Sequence, residues 1–191
     1  MIKINNILRR YNQFALEIAD LELHPGSCVG LVGVNGAGKT TLLKALLDLI
    51  PLEEGYISSF GQVVAQAETW KEYTRAYIGE DFLVGYLSPK EYFRFYAELY
   101  NRDPNDAILA VENLAPFIND SLLHGQKYIR ELSLGNKQRV GVASTLILDS
   151  KVIVLDEPFA NLDPISQINL KRLIAELRED KIILVSSHNL F

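Results

Sequence analysis

At 191 residues, of which 48% are apolar and 23% charged, the chain is long enough for one domain with an inserted subdomain and a real hydrophobic core, and its composition excludes general disorder. The formal net charge of −5 leaves no overall basic footprint for nucleic acid, and the single cysteine, Cys28, rules out an intrachain disulfide and fits a reducing compartment. No apolar run reaches the ~18 residues that span a bilayer, and Met1-Ile2-Lys3-Ile4-Asn5 lacks the stretch of a secretory signal, so any link to a membrane is expected to pass through a partner.

Along the chain, Ile2 to Ile7 and Phe14 to Leu23 read as two strands, the second alternating as a half-buried strand does. His24-Pro25-Gly26 is a turn. Cys28 to Val32 runs apolar with little alternation, which predicts a strand buried on both faces of a parallel sheet. A glycine-rich loop then opens into Thr41 to Leu47, a helix apolar on nearly every face and so expected to be buried, with Pro51 and Gly55 ending it. Ser88-Pro89-Lys90-Glu91 is a helix start: Ser88 caps the third backbone N–H, Glu91 reaches back, and Pro89 sits where no donor is needed. An aromatic helix follows through Tyr92, Phe93, Phe95, Tyr96 and Tyr100, then helices over Asn105 to Leu114 and from near Gly135. Val152 to Leu155 and Ile182 to Val185 are short apolar strands, with a helix from Pro164 to about Glu179 between them. This layering predicts an α/β fold with a mainly parallel sheet, a core at 1–81 and 149–191 and a helical subdomain at 82–148.

The chemistry sits at the ends of these elements. Gly33-Val34-Asn35-Gly36-Ala37-Gly38-Lys39-Thr40 matches the P-loop pattern, with a strand before it and a helix after. Its glycines let the backbone turn N–H groups onto phosphate oxygens, helped by the helix N-terminus. Lys39 can reach the β- and γ-phosphates of ATP, and the Thr40 hydroxyl can ligate Mg²⁺. Val152 to Leu155 delivers Asp156 and Glu157 at its end. In P-loop proteins the aspartate holds Mg²⁺; Glu157 is then placed to polarise a water for in-line attack.

Leu132-Ser133-Leu134-Gly135-Asn136-Lys137-Gln138-Arg139 resembles the signature motif of ABC ATPases, usually Leu-Ser-Gly-Gly-Gln, in a Ser-x-Gly form similar to that of exporters. Leu134 replaces the first glycine and Asn136 the glutamine, while Ser133 and Gly135 remain. The resemblance covers essentially the whole chain, and implies the P-loop NTPase fold with a small antiparallel region at the N-terminus. It implies a nucleotide-binding set of Gly33, Asn35, Gly36, Ala37, Gly38, Lys39, Thr40 and Thr41, with Tyr11 stacking on adenine. Ser133 and Gly135 would face a second nucleotide-binding subunit's ATP, Asn161-Leu162-Asp163 resembles the loop that contacts that subunit, and His188 looks like the switch histidine for the γ-phosphate. The implied function is an ATPase that pairs head to tail, as a homo- or heterodimer, and drives a separate integral-membrane subunit. Its implied place is the cytoplasm, peripheral at the inner face of the cell membrane, with no nucleic acid as partner.

Two departures stand out. The family's glutamine between P-loop and helical insertion has no counterpart in Tyr77 to Phe82; Glu80 is the best match, a carboxylate that can ligate Mg²⁺ but offers no N–H donor. The chain also ends three residues after His188, where the family continues through helix and strand, which reads either as a trimmed chain or as a short natural form with an uncovered sheet edge. Rival readings are a non-transport ABC ATPase acting on nucleic acid or ribosomes, a P-loop kinase, and an ATP-binding module with little turnover. Cys28, Trp70 and the aromatic helix are expected to pack in the core, the alternative for the helix from Tyr92 to Tyr100 being the groove near the insertion that, in the family it resembles, receives a helix of the membrane subunit.

Overall fold

The computed structural model describes residues 1–12 and 14–188. In chain order its elements are β1 (Ile2–Tyr11), β2 (Phe14–Leu23), β3 (Ser27–Val32), α1 (Lys39–Leu46), β4 (Glu54–Ser59), β5 (Gln62–Val63), β6 (Thr74–Tyr77), α2 (Pro89–Leu99), α3 (Pro104–Glu112), α4 (Asp120–Leu123), α5 (Leu134–Leu146), β7 (Val152–Leu155), α6 (Pro164–Leu177) and β8 (Ile182–Ser187), with short 3₁₀ turns between some of them. They fall into two units: residues 1–74, 150–156 and the stretch from Arg178 on, and residues 75–149 with 157–177. No helix among the described residues is long and apolar enough to cross a membrane.

The first unit holds an antiparallel sheet in the order β2-β1-β4-β5 and the parallel strands β3, β8 and β7. β7 and β8 are the two continuous apolar runs, and every residue in them is buried. β8 lies between its two parallel neighbours, so a Val/Ile/Leu run without alternation suits it. β3 corrects the expectation of a strand covered on both faces. It pairs with β8 and alternates half-buried and exposed residues, leaving Cys28, Gly30 and Val32 open. Among the described residues β3 is an end strand of its sheet, and Cys28 is an exposed thiol rather than a core residue. Trp70 does pack: its indole is buried and donates to the Val64 carbonyl at 2.9 Å.

The hairpin of β1 and β2 runs further than the apolar pattern indicated, with pairing from Ile2↔Leu23 to Tyr11↔Phe14. Midway, Asn6 takes a left-handed φ of 42° and the register to β4 shifts between Asn5 and Leu8. Gly55 on β4 permits that break, because a Cβ there would lie 2.3 Å from the Asn5 and Asn6 carbonyl oxygens.

The second unit is helical. α2 starts on the predicted reciprocal cap: the Glu91 N–H donates to the Ser88 hydroxyl at 3.4 Å and the Ser88 N–H to the Glu91 carboxylate at 2.8 Å, with Pro89 first in the helix. These hydrogen bonds from Ser88, the backbone one foremost, hold the Glu91 carboxyl below its usual range. Tyr92 and Phe93 on α2 are buried, whereas Phe95 and Leu99 are exposed, so the packing reading holds for one face of the helix. α3 is capped by the Asp103 carboxylate, which accepts the Asn105 N–H at 2.7 Å, and it ends at Glu112 rather than Leu114. α6 opens on the Asp163 carboxylate, which accepts the Ser166 N–H at 3.0 Å, and ends at Leu177. α4, β4 and β5 had no signal in the apolar periodicity.

Candidate active site

In the first unit, β3 leads into the loop from Gly33 and α1 leaves it, so the loop's amides are gathered at a helix N-terminus. Gly36 and Gly38 have φ of 83° and 91°, conformations that favour glycine, and Gly38 is the N-cap of α1. The loop is tied down by the Gly33 N–H donating to the Ser187 carbonyl at 3.3 Å and the Ala37 N–H to the Val34 carbonyl at 3.1 Å. The Lys39 ammonium bends back over the loop and donates to the Gly33 and Val34 carbonyls at 2.6 and 3.3 Å. Asn35, Thr40 and Thr41 occupy the places in the loop and first helical turn that the motif gave them.

Asp156 follows β7 and is 8% exposed. Its carboxylate accepts the Thr40 hydroxyl at 2.6 Å on one oxygen and the Ser186 hydroxyl on the other. Three segments distant in sequence thus meet on one carboxylate, aimed at the first turn of α1. Ser186 was not picked out by sequence as a site residue, being only the landmark before His188. His188 follows β8 and is exposed.

Tyr11 is 45% exposed, with its ring stacked on Phe14 at 6.2 Å between centroids and an interplanar angle of 27°. Phe14 in turn faces the loop: a Cβ on Gly38 would lie 2.4 Å from its ring. A cleft of about 480 Å³ lined by Phe14, Leu16, Val32, Gly38 and Lys39 joins Phe14 to the loop. Phe14 is a second aromatic that sequence reading missed, because an apolar residue opening a strand reads as core. Its pairing opposite Tyr11 at the hairpin end was the available signal.

The remaining site residues belong to the second unit. Ser133 caps α5, its hydroxyl accepting the Asn136 N–H at 3.4 Å. A cavity of about 460 Å³ opens there, lined by Ser133, Asn136, Lys127, Glu131, Leu122 and Leu132. Gly135 lies one step inside the helix, where a Cβ would come within 2.5 Å of the Asn161 carbonyl oxygen. Gly135→Ala is expected to destabilise the fold by about 1–3 kcal/mol through overpacking, lowering Tm by several degrees. A melting curve that matches the parent chain would contradict this contact. Asn161 has φ of 57°, and Asp163, beyond it, caps α6. Glu157 is half-buried with φ of 45°, and Glu80 is exposed at the start of a 3₁₀ turn.

The model of the ABC transporter family matches residues 16–160. The phosphonates import ATP-binding protein PhnC of Wolinella succinogenes is 33% identical over 201 residues, covering 96% of this chain and 72% of that protein. An uncharacterized ABC transporter ATP-binding protein of Synechocystis sp. is 32% identical over 179 residues, and there the match covers 91% of this chain but only 49% of the relative. A solved ATP-binding subunit of an ABC transporter superposes with a TM-score of 0.82 at 25% identity, over 99% of this chain and 80% of that one. The chain belongs to the ABC transporter family, and the relatives it matches are ATP-binding proteins of that family.

Proposed function

We propose that this chain is the ATPase subunit of an ABC transporter, and that it works as half of a head-to-tail pair whose ATP-driven closure moves a separate integral-membrane subunit. The observation that carries the reading is Asp156, held by Thr40 and Ser186 at the first turn of the P-loop helix. The loop amides of Gly33 to Thr41 receive the phosphates, and Lys39 exchanges loop carbonyls for phosphate oxygens. Tyr11, backed by Phe14, offers a face for adenine.

The Thr40 hydroxyl and the Asp156 carboxylate are hard oxygen donors converging on one point, which suits Mg²⁺, and Glu80 is the proposed further donor. When bound, the ion neutralises charge on the phosphates. Glu157 polarises the attacking water and His188 contacts the γ-phosphate, so that the protein's work is positioning and electrostatics. Ser133 and Gly135, at the head of α5 in the proposed helical subdomain at 82–148, close over the ATP of the second subunit. In this reading the chain sits in the cytoplasm against the inner face of the membrane, attached through its transporter partner.

Sites shared between two chains require pairing. Specific ATPase activity of the purified chain is therefore expected to rise with protein concentration until the pair saturates. Activity per chain that stays constant from nanomolar to high micromolar concentration, with the protein monomeric by light scattering throughout, would overturn the shared-site reading.

A further inference from the structure

Glu157 holds a left-handed backbone, φ 45°, although it is not glycine. A bulky residue keeps such a conformation only where its surroundings enforce it, and these conformations gather where function needs a fixed direction. The Glu157 carbonyl is held from two sides. The Ala160 N–H donates to it at 3.1 Å within its own turn, and the Gln138 side-chain amide donates to it at 2.8 Å from α5.

Gln138 is 6% exposed and is itself oriented. A carbonyl accepts only from the NH₂ end of an amide, so Oε1 of Gln138 must point the other way. There it meets the hydroxyl of Tyr77, which donates at 3.1 Å. Tyr77 is buried at the end of β6, three residues before Glu80. One turn further along α5, a Cβ on Gly141 would fall 2.2 Å from the Tyr77 ring, so the glycine is what lets that ring lie on the helix. On the same helix, Ser133 and Gly135 form the signature head.

We infer that Gln138 is a positioning residue for ATP hydrolysis: it fixes the backbone of Glu157, and hence the direction of its carboxylate, under the orientation that Tyr77 imposes. The inference rests on the reading of Glu157 as the water-activating group. It adds a mechanical link, since a shift of the signature helix or of the strand leading to Glu80 reaches Glu157 through one amide. ATP touches neither Gln138 nor Tyr77 in this account, so the link acts on turnover and not on nucleotide affinity.

The test measures MgATP binding and steady-state hydrolysis for the full chain and for Gln138→Met, Gln138→Glu, Tyr77→Phe, the Tyr77→Phe/Gln138→Met double variant, and Glu157→Gln. Gln138→Met is expected to lower kcat by ~10-fold or more, as a misplaced group does, with KM and nucleotide Kd within about 2-fold of the parent. Tyr77→Phe should lose less, and the double variant no more than Gln138→Met alone, because the two residues form one chain of hydrogen bonds. Gln138→Glu keeps the shape but, when ionised, has no proton to donate. Its kcat relative to the parent should therefore recover as pH is lowered and the carboxylic acid forms. If Gln138→Met does not fold, the pH ratio of Gln138→Glu and the Tyr77→Phe kinetics decide the matter. Parental kcat in the Gln138 variants beside a crippled Glu157→Gln would overturn this inference alone. So would a joint loss of binding and turnover, or a ratio that ignores pH. Full hydrolysis in Glu157→Gln would overturn the reading of Glu157 and this inference with it.

Discussion

Glu157→Gln is expected to bind MgATP as the parent chain does and to turn it over ~10²-fold or more slowly, the cost of losing a general base. The substitution changes one atom of the side chain and none of the backbone. The Glu157 carbonyl therefore keeps its bonds from Ala160 and Gln138, and the left-handed turn stands. What is lost is the negative charge that draws a proton from water. Under the proposed function, a chain that binds ATP but cannot remove its terminal phosphate should accumulate as an ATP-dependent dimer, visible as an earlier peak in gel filtration. Turnover at the parental rate would take Glu157 out of the chemistry, whatever became of the dimer.

Lys39→Ala is expected to weaken MgATP binding by ~10²-fold, which is the loss of one or two charge-assisted hydrogen bonds at 1.5–3 kcal/mol each. The ammonium now satisfies the Gly33 and Val34 carbonyls, and both can turn to solvent once the side chain is gone. The loop itself is braced by main-chain bonds from Gly33 to Ser187 and from Ala37 to Val34, so unfolding temperature should move little. Isothermal titration beside a thermal melt separates the two effects. Unaltered affinity would remove the nucleotide assignment altogether, whereas a collapsed melt would show that the lysine holds the loop together.

Sequence spoke most clearly where a function needs neighbouring residues. The P-loop is a contiguous string, and its glycines, Lys39 and Thr40 took the places the motif assigns. The caps at Ser88 and Asp163 were legible for the same reason, each being a contact across three residues. What stayed hidden is what folding brings from afar. Ser186 reaches Asp156 across 30 residues, and Gln138 reaches Glu157 across 19, with no local pattern to announce either. β3 shows the complementary failure: an apolar run states what a strand would prefer to bury and is silent on which neighbour covers it. Cys28 followed that run into an expectation of burial and lies exposed.

The break at Asn6 decides where the first aromatic of the site can point. Ahead of it the buried positions of β1 are even-numbered, Ile2 and Ile4; past it Ile7 and Leu8 are both buried, and on β2 the apolar positions pass from Leu23 and Leu21 to Ile18, the partner of Ile7, and Leu16. Counting on by twos from Ile7 arrives at Tyr11, and from Ile18 at Phe14, so the two rings end up on one side of the ribbon. An uninterrupted pleat counted from Ile2 would turn the tyrosine to the opposite side. A half-step in the hairpin, given room by the missing side chain of Gly55, thus aims an aromatic ring several residues downstream.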